Sequence, residues 1–229
     1  MGPRAKAITP LALVIGVLSF LWTEFALNFT FHWVTVKDNV LAGLGMPQEF
    51  HLILPTAFIA WGLFFAAGGD NAAFGKVLTA CVIGSIGALV VMPLAFKTAD
   101  LPDFWGIALW VGVGAFVLVM ILVLGDWYYV AGTFPAFAAV FLWWIATGLD
   151  GWVPDKVSGV ATSSSDAVAG LANGTAVGTG AALGLITTQW YMVWLSSLVT
   201  LICGCILGIL SGKLAAALTP KPAAAAEAA

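Results

Sequence analysis

Apolar residues fall into six long runs separated by short polar breaks, at about residues 8–29, 52–69, 75–96, 104–125, 128–149 and 188–211. None shows the strict alternation of a membrane barrel strand, and an open sheet edge has no hydrogen-bond partner in lipid. Each run therefore predicts a membrane-spanning helix, for which about 20 apolar residues suffice. The fold class expected is all-α: a polytopic membrane helical bundle of about six spans. One integral domain covers residues 1–218, and a Pro/Ala-rich tail follows at 219–229.

The second and fifth runs are short and alike. Each begins at a proline, Pro55 or Pro135, and ends near a Gly-x-Asp, Gly68/Asp70 or Gly148/Asp150. Pro, Ala66/Ala146, Gly and Asp all recur at a separation of 80 residues, and Trp61 and Phe64 fall opposite Phe141 and Trp144. The helix after each carries small residues four apart: Ala80, Gly84, Ala88 and then Gly204, Gly208, Gly212. Such stripes let helix backbones approach closely, between repeats or between subunits. The pattern predicts a three-plus-three inverted repeat with halves at about 8–96 and 104–211. Short, Pro- or Gly-interrupted spans at matching places are the usual sequence pointer to a pathway between such halves. Residues 151–187, rich in Gly, Ala, Ser and Thr, form an insertion without a counterpart in the first half.

Composition agrees with the pattern. Of the 229 residues 62% are apolar and 8% charged, and mean hydropathy is +1.05. A soluble domain carries about 25% charged residues, so this chain cannot coat itself in polar surface and lipid must be its main solvent. The net charge of −3 implies no nucleic-acid partner. Cys81, Cys203 and Cys205 all lie in apolar runs and read as small buried hydrophobes, not as a disulfide framework or zinc site. With cytosolic termini, the inside segments hold five Lys or Arg (Arg4, Lys6, Lys76, Lys213, Lys221) against three outside (Lys37, Lys97, Lys156). That bias favours both termini inside, and it puts the sequons at Asn28 and Asn173 outside.

Few groups can carry chemistry. Glu24 is the one acid within a span, either a site at depth or an interfacial carboxylate. His32 and His51 flank the first outer loop, with Glu49 nearby. No ligand spacing completes a metal site, so they read as polar residues at the water boundary or as a proton relay. Glu24, His51, Asp70 and Asp150 are the candidates for a pore mouth or a helix cap. The aromatic Trp22, Trp33, Trp105, Trp127, Tyr128, Tyr129, Trp190 and Tyr191 suit interfacial belts. Candidates for lining a pathway are Pro55, Phe58, Trp61 and Phe64 in one short span and Pro135, Phe137, Phe141 and Trp144 in the other. No nucleotide-binding loop, HExxH or nucleophile elbow appears, so neither an enzyme nor a cofactor is expected.

Ion-coupled transport requires charged groups at depth, and spans two to six have none in their central portions. The reading is a passive channel for a small uncharged molecule, with a non-conducting assembly subunit or a carrier for another small solute as alternatives. The paired segments Pro55–Asp70 and Pro135–Asp150, the Gly-rich stretch Cys81–Met92, the small-residue insertion and the Ala-rich end after Lys221 resemble the low-CO2-inducible plasma-membrane proteins of green algae. They also resemble a family of small bacterial inner-membrane proteins of unknown function. The resemblance covers about residues 10–212. It implies a CO2 channel serving inorganic-carbon uptake, whereas bicarbonate or ammonia would be the solute under the carrier alternative. It also implies a homotrimer with one pathway per subunit, in the plasma membrane.

Overall fold

Every backbone N–H and C=O within a bilayer must be paired inside the protein, and the described residues meet that demand chiefly with helices. The computed structural model describes residues 2–30, 50–98, 101, 104–147 and 189–219. Among them stand six helices and no strand: α1 Pro3–Asn28, α2 Leu54–Ala66, α3 Asn71–Phe96, α4 Trp105–Met120, α5 Val130–Ala146 and α6 Trp190–Leu218. A 3-10 turn, Ile121–Leu124, prolongs α4. The insertion 151–187, the tail from 220, His32, Trp33, Glu49, Gly148 and Asp150 lie outside the described residues.

Four helices are long and apolar enough to cross a membrane: α1, α3, α4 with its 3-10 turn, and α6. The short pair, α2 and α5, has 13 and 17 residues. At about 1.5 Å per residue they reach only ~20 and ~26 Å, short of a hydrocarbon core about 30 Å thick. They lie against the long helices α3 and α6. The tightest pairings are α3 with α5 and α2 with α6, and α3 and α6 also cross each other. At that crossing the Cys81 and Cys205 sulfurs lie 4.0 Å apart as free, buried thiols. Helix α1 packs on α6 and α4 packs on α3. Both are peripheral: in its most apolar stretch α4 is 6% buried, against 44% for α3 and α6. Its exposed Trp105, Phe116, Val123 and Leu124 suit a lipid-facing surface.

The small-residue stripes explain the tight pairings. A Cβ on Gly84 would meet the Thr133 carbonyl and, at 2.9 Å, Ala136 Cβ on α5. One on Gly204 would meet the Ala57 backbone on α2, and one on Gly208 would meet the Phe64 ring at 2.7 Å. The stripes thus serve packing within the chain. Helix α2 ends at Gly68 and Gly69, whose φ of +123° and +73° only glycine adopts without strain. Asp70 then caps α3, its carboxylate accepting the Ala73 N–H at 2.7 Å.

Two aromatics expected in interfacial belts do other work. Trp22 is buried, its Nε1–H directed at the Leu54 carbonyl at 3.4 Å. Tyr128 is buried and donates to the Leu118 carbonyl at 2.7 Å. In both cases the polar end of the ring finds a backbone carbonyl inside the bundle. Trp105 and Trp127 do stand exposed.

Gly204→Ala is expected to destabilise the bundle by about 1–3 kcal/mol through overpacking. Gly112→Ala, where no atom lies within 4 Å of the added carbon, is expected to be neutral or stabilising by up to about 1 kcal/mol. Reversible unfolding in mixed micelles measures both, and equal effects would remove the close α2–α6 approach.

Candidate functional site

Helix α2 is preceded by a stretch of non-helical backbone, residues 50–53, and all four of its residues are buried. Buried backbone outside a helix needs partners from the protein around it. Three consecutive N–H groups find them in hydroxyls. His51 N–H donates to Ser196 Oγ at 3.0 Å, Leu52 N–H to Thr30 Oγ1 at 3.1 Å and Ile53 N–H to Thr200 Oγ1 at 3.2 Å. Thr30 returns its own proton to the Leu52 carbonyl at 2.9 Å, and Thr200 gives its proton to the Ser196 carbonyl at 2.7 Å. Ile53 caps the helix without a side-chain hydrogen bond. Pro55, in the first turn, removes one N–H that would otherwise need a partner.

The strap is walled by aromatic and aliphatic side chains. The His51 ring meets Trp143 edge to face, centroids 5.8 Å apart. Ile53 shares a core cluster with Phe137, Phe141, Trp143, Trp144 and Val193, and Trp190 and Trp194 pack against that cluster. His51 itself is 1% exposed, so its ring is enclosed by protein. Among the described residues its Nδ1 has no hydrogen-bond partner. The same is true of Thr56 Oγ1, Trp143 Nε1, Trp194 Nε1 and Ser197 Oγ.

The aromatic pathway candidates divide into three groups. Phe137, Phe141 and Trp144 form one row along α5, with ring centroids 4.8 and 6.0 Å apart, and Phe96 of α3 closes on Trp144 at 5.8 Å. Trp61 and Phe64 are buried between α2 and α6, where Trp61 Nε1–H donates to Ser211 Oγ at 3.0 Å. Pro55 and Phe58 are exposed on the outer side of α2. Pro135, half-buried, lies within α5 and not at its start. Glu24 is exposed near the end of α1, and Asn28 Nδ2–H donates to its carboxylate at 3.0 Å. Asp70 sits at the far end of α2 from the strap. The described residues therefore bring His51 to the α5 aromatics and leave Glu24, Asp70, Pro55 and Phe58 elsewhere.

Sequence reasoning missed the hydroxyls. Thr56, Ser85, Thr133, Ser196, Ser197, Thr200 and Ser211 are all fully buried. Hydroxyls in apolar runs barely lower hydropathy; the available signal was the i, i+4 pair Ser196/Thr200 on α6. No group of three His, Cys, Asp or Glu among the described residues is placed to hold a metal ion. Comparison with protein-family models, with curated proteins and with solved structures finds no match to the chain.

Thr200→Val and Ser196→Ala each leave a buried strap N–H without its acceptor. Each is expected to cost about 1–3 kcal/mol, whereas Thr79→Ala, at an exposed position of α3, should stay within about 0.5 kcal/mol. Unfolding titrations of the three variants decide whether the hydroxyls hold the strap.

Proposed function

We propose that the protein is a passive membrane channel for a small uncharged molecule, without turnover of its own, built as two inverted three-helix halves. The observation that carries the reading is the chemistry of the interior. The polar side chains buried among the described residues are hydroxyls, indoles and one imidazole, with no Asp, Glu, Lys or Arg. Such an interior offers no compensating charge to an ion and no coupling group to a gradient. A neutral solute needs neither, and its passage depends on width and wall polarity.

Support for the inverted repeat comes from burial and packing. Each of the five buried residues of α2 has a buried counterpart 80 positions on in α5: Thr56/Ala136, Ala57/Phe137, Ala60/Val140, Trp61/Phe141 and Phe64/Trp144. Nine of the ten buried residues of α3 have buried counterparts 120 positions on in α6, among them Gly84/Gly204 and Ala88/Gly208. Exchanging α1 with α4, α2 with α5 and α3 with α6 carries each tight pairing onto another: α3–α5 onto α6–α2, and α1–α6 onto α4–α3. The resemblance to the green-algal proteins adds CO2 as the cargo, a homotrimeric assembly and a plasma-membrane location.

A second reading, a non-conducting packing subunit of a larger complex, is favoured by the density of the interior. Phe64 fills the space over Gly208, and Trp144 is fully buried. Under the channel reading these rings are the constriction. Purified protein in liposomes, with unstirred layers controlled, is then expected to raise CO2 entry above the protein-free rate. Phe64→Ala and Trp144→Ala should raise it further, and Phe58→Ala on the outer side of α2 should leave it unchanged. Protein-free rates for wild type and all three variants, each confirmed as inserted, would leave the packing-subunit reading. Tags at the two termini are expected on the cytosolic side together; opposite sides would remove the six-span inverted arrangement.

A further inference from the structure

Five of the six buried side-chain polar atoms without a partner among the described residues belong to one neighbourhood. His51 is in the strap, and Thr56 is in the first turn of α2. Trp143 is in the last turn of α5, and Trp194 and Ser197 are in the first two turns of α6. These segments meet: His51 contacts the Trp143 ring, its N–H reaches Ser196 beside Ser197, and Ile53 packs with Trp143 and Val193. The sixth atom, Trp110 Nε1, is on peripheral α4.

Buried polar groups are almost always hydrogen-bonded, because a partnerless one loses its solvation with nothing in return. One such atom in a bundle is an isolated defect. Five on the segments around a single unwound turn describe a chemical surface. Two are indole donors, two are hydroxyls that both donate and accept, and the fifth is an imidazole nitrogen that accepts in the tautomer with its proton on Nε2. Three of the five side chains, on His51, Thr56 and Ser197, are at least 99% buried. No carboxylate or cationic side chain is buried among the described residues, so the surface does not suit an ion.

We infer that the strap, the start of α2 and the facing ends of α5 and α6 form a binding site for a small uncharged molecule that both donates and accepts hydrogen bonds, water being the smallest of the class. The Trp143 and Trp194 N–H groups supply protons to its acceptor lone pairs. The His51 Nδ1 lone pair and the hydroxyls take its protons. The site stands apart from the conduction reading, since a bound molecule need not cross.

The probe is water. The full-length chain, deuterated, labelled with 15N-histidine and carrying His32→Gln, leaves His51 as the one labelled ring. In lipid nanodiscs, polarisation transfer from water to the ring nitrogens reports contact. Rapid transfer to Nδ1 is expected, falling by about twofold or more in Ser197→Ala and Thr56→Val, which remove hydroxyls that hold the molecule. Transfer no faster than to a dry core residue would overturn the site, as would correlation of Nδ1 to a protein proton, which would mean that another part of this chain supplies the partner. Wild-type transfer alone decides the matter where a variant fails to fold. Water contact without CO2 entry in liposomes would remove conduction and leave the site; CO2 entry with a dry imidazole would do the reverse.

Discussion

Lipid offers no hydrogen bonds, and the backbone must find all of them within the protein. Most of the bundle meets this with helical turns. At residues 50–53 it does not, and three side-chain hydroxyls take over the work of a helical turn. Ser196 and Thr200 come from α6, and Thr30 comes from the residues just beyond α1. The strap therefore ties α1, α2 and α6 together by hydrogen bonds as well as by apolar contact. It also fixes where α2 begins, and so which of its residues face inward. Trp61 and Phe64 reach α6, while Phe58 turns outward.

Packing in lipid gains little from the hydrophobic effect, so close contact between helices carries the association. Gly84, Gly204 and Gly208 give α3 and α6 flat faces on which the short helices lie. Large rings then occupy the space the glycines leave: Phe64 over Gly208, and Phe137 near Gly87 and Gly114. Because α3 and α6 each hold one short helix and also cross each other, they form the centre of the bundle. Helices α1 and α4 add outer surface. Between α3 and α4 an apolar groove of about 260 Å³ remains, walled by side chains such as Ile86, Val90 and Val117, as expected of a face turned toward hydrocarbon.

The helices were legible because hydropathy and length report directly on lipid solvation. The short spans, the glycine stripes and the Asp70 cap were legible for a related reason: proline, glycine and an acid before a helix each have a narrow range of uses. The strap was not. Leu52, Ile53 and Leu54 are as apolar as any helical turn, and the pattern sets the second span at residue 52, whereas the helix begins at Leu54. What unwinds the segment is the presence of acceptors 145 and 147 residues away, and no local pattern encodes that. For the same reason His51 reads as a boundary residue. One imidazole between a loop and an apolar run is placed by its tertiary neighbours, here Trp143 and the start of α6.

The two short helices differ in a way those acceptors explain. Eighty positions beyond the strap, residues 130–133 form the first turn of α5, where the first short segment is unwound. In the proposed repeat the α6 hydroxyls at 196 and 200 stand opposite Lys76 and Ala80 on α3, 120 positions back. Neither can accept a hydrogen bond. A strap before Pro135 would leave its N–H groups bare, so this segment satisfies itself as helix. Gly132 then packs flat against Ala80, whose Cβ lies 3.0 Å from where a side chain would start, whereas in the strap the Ile53 N–H meets Thr200. In the proposed repeat, hydroxyls on α6 and at Thr30 accompany a buried, hydrogen-bonded row of backbone donors before α2, and their absence from α3 accompanies a helical turn at the start of α5.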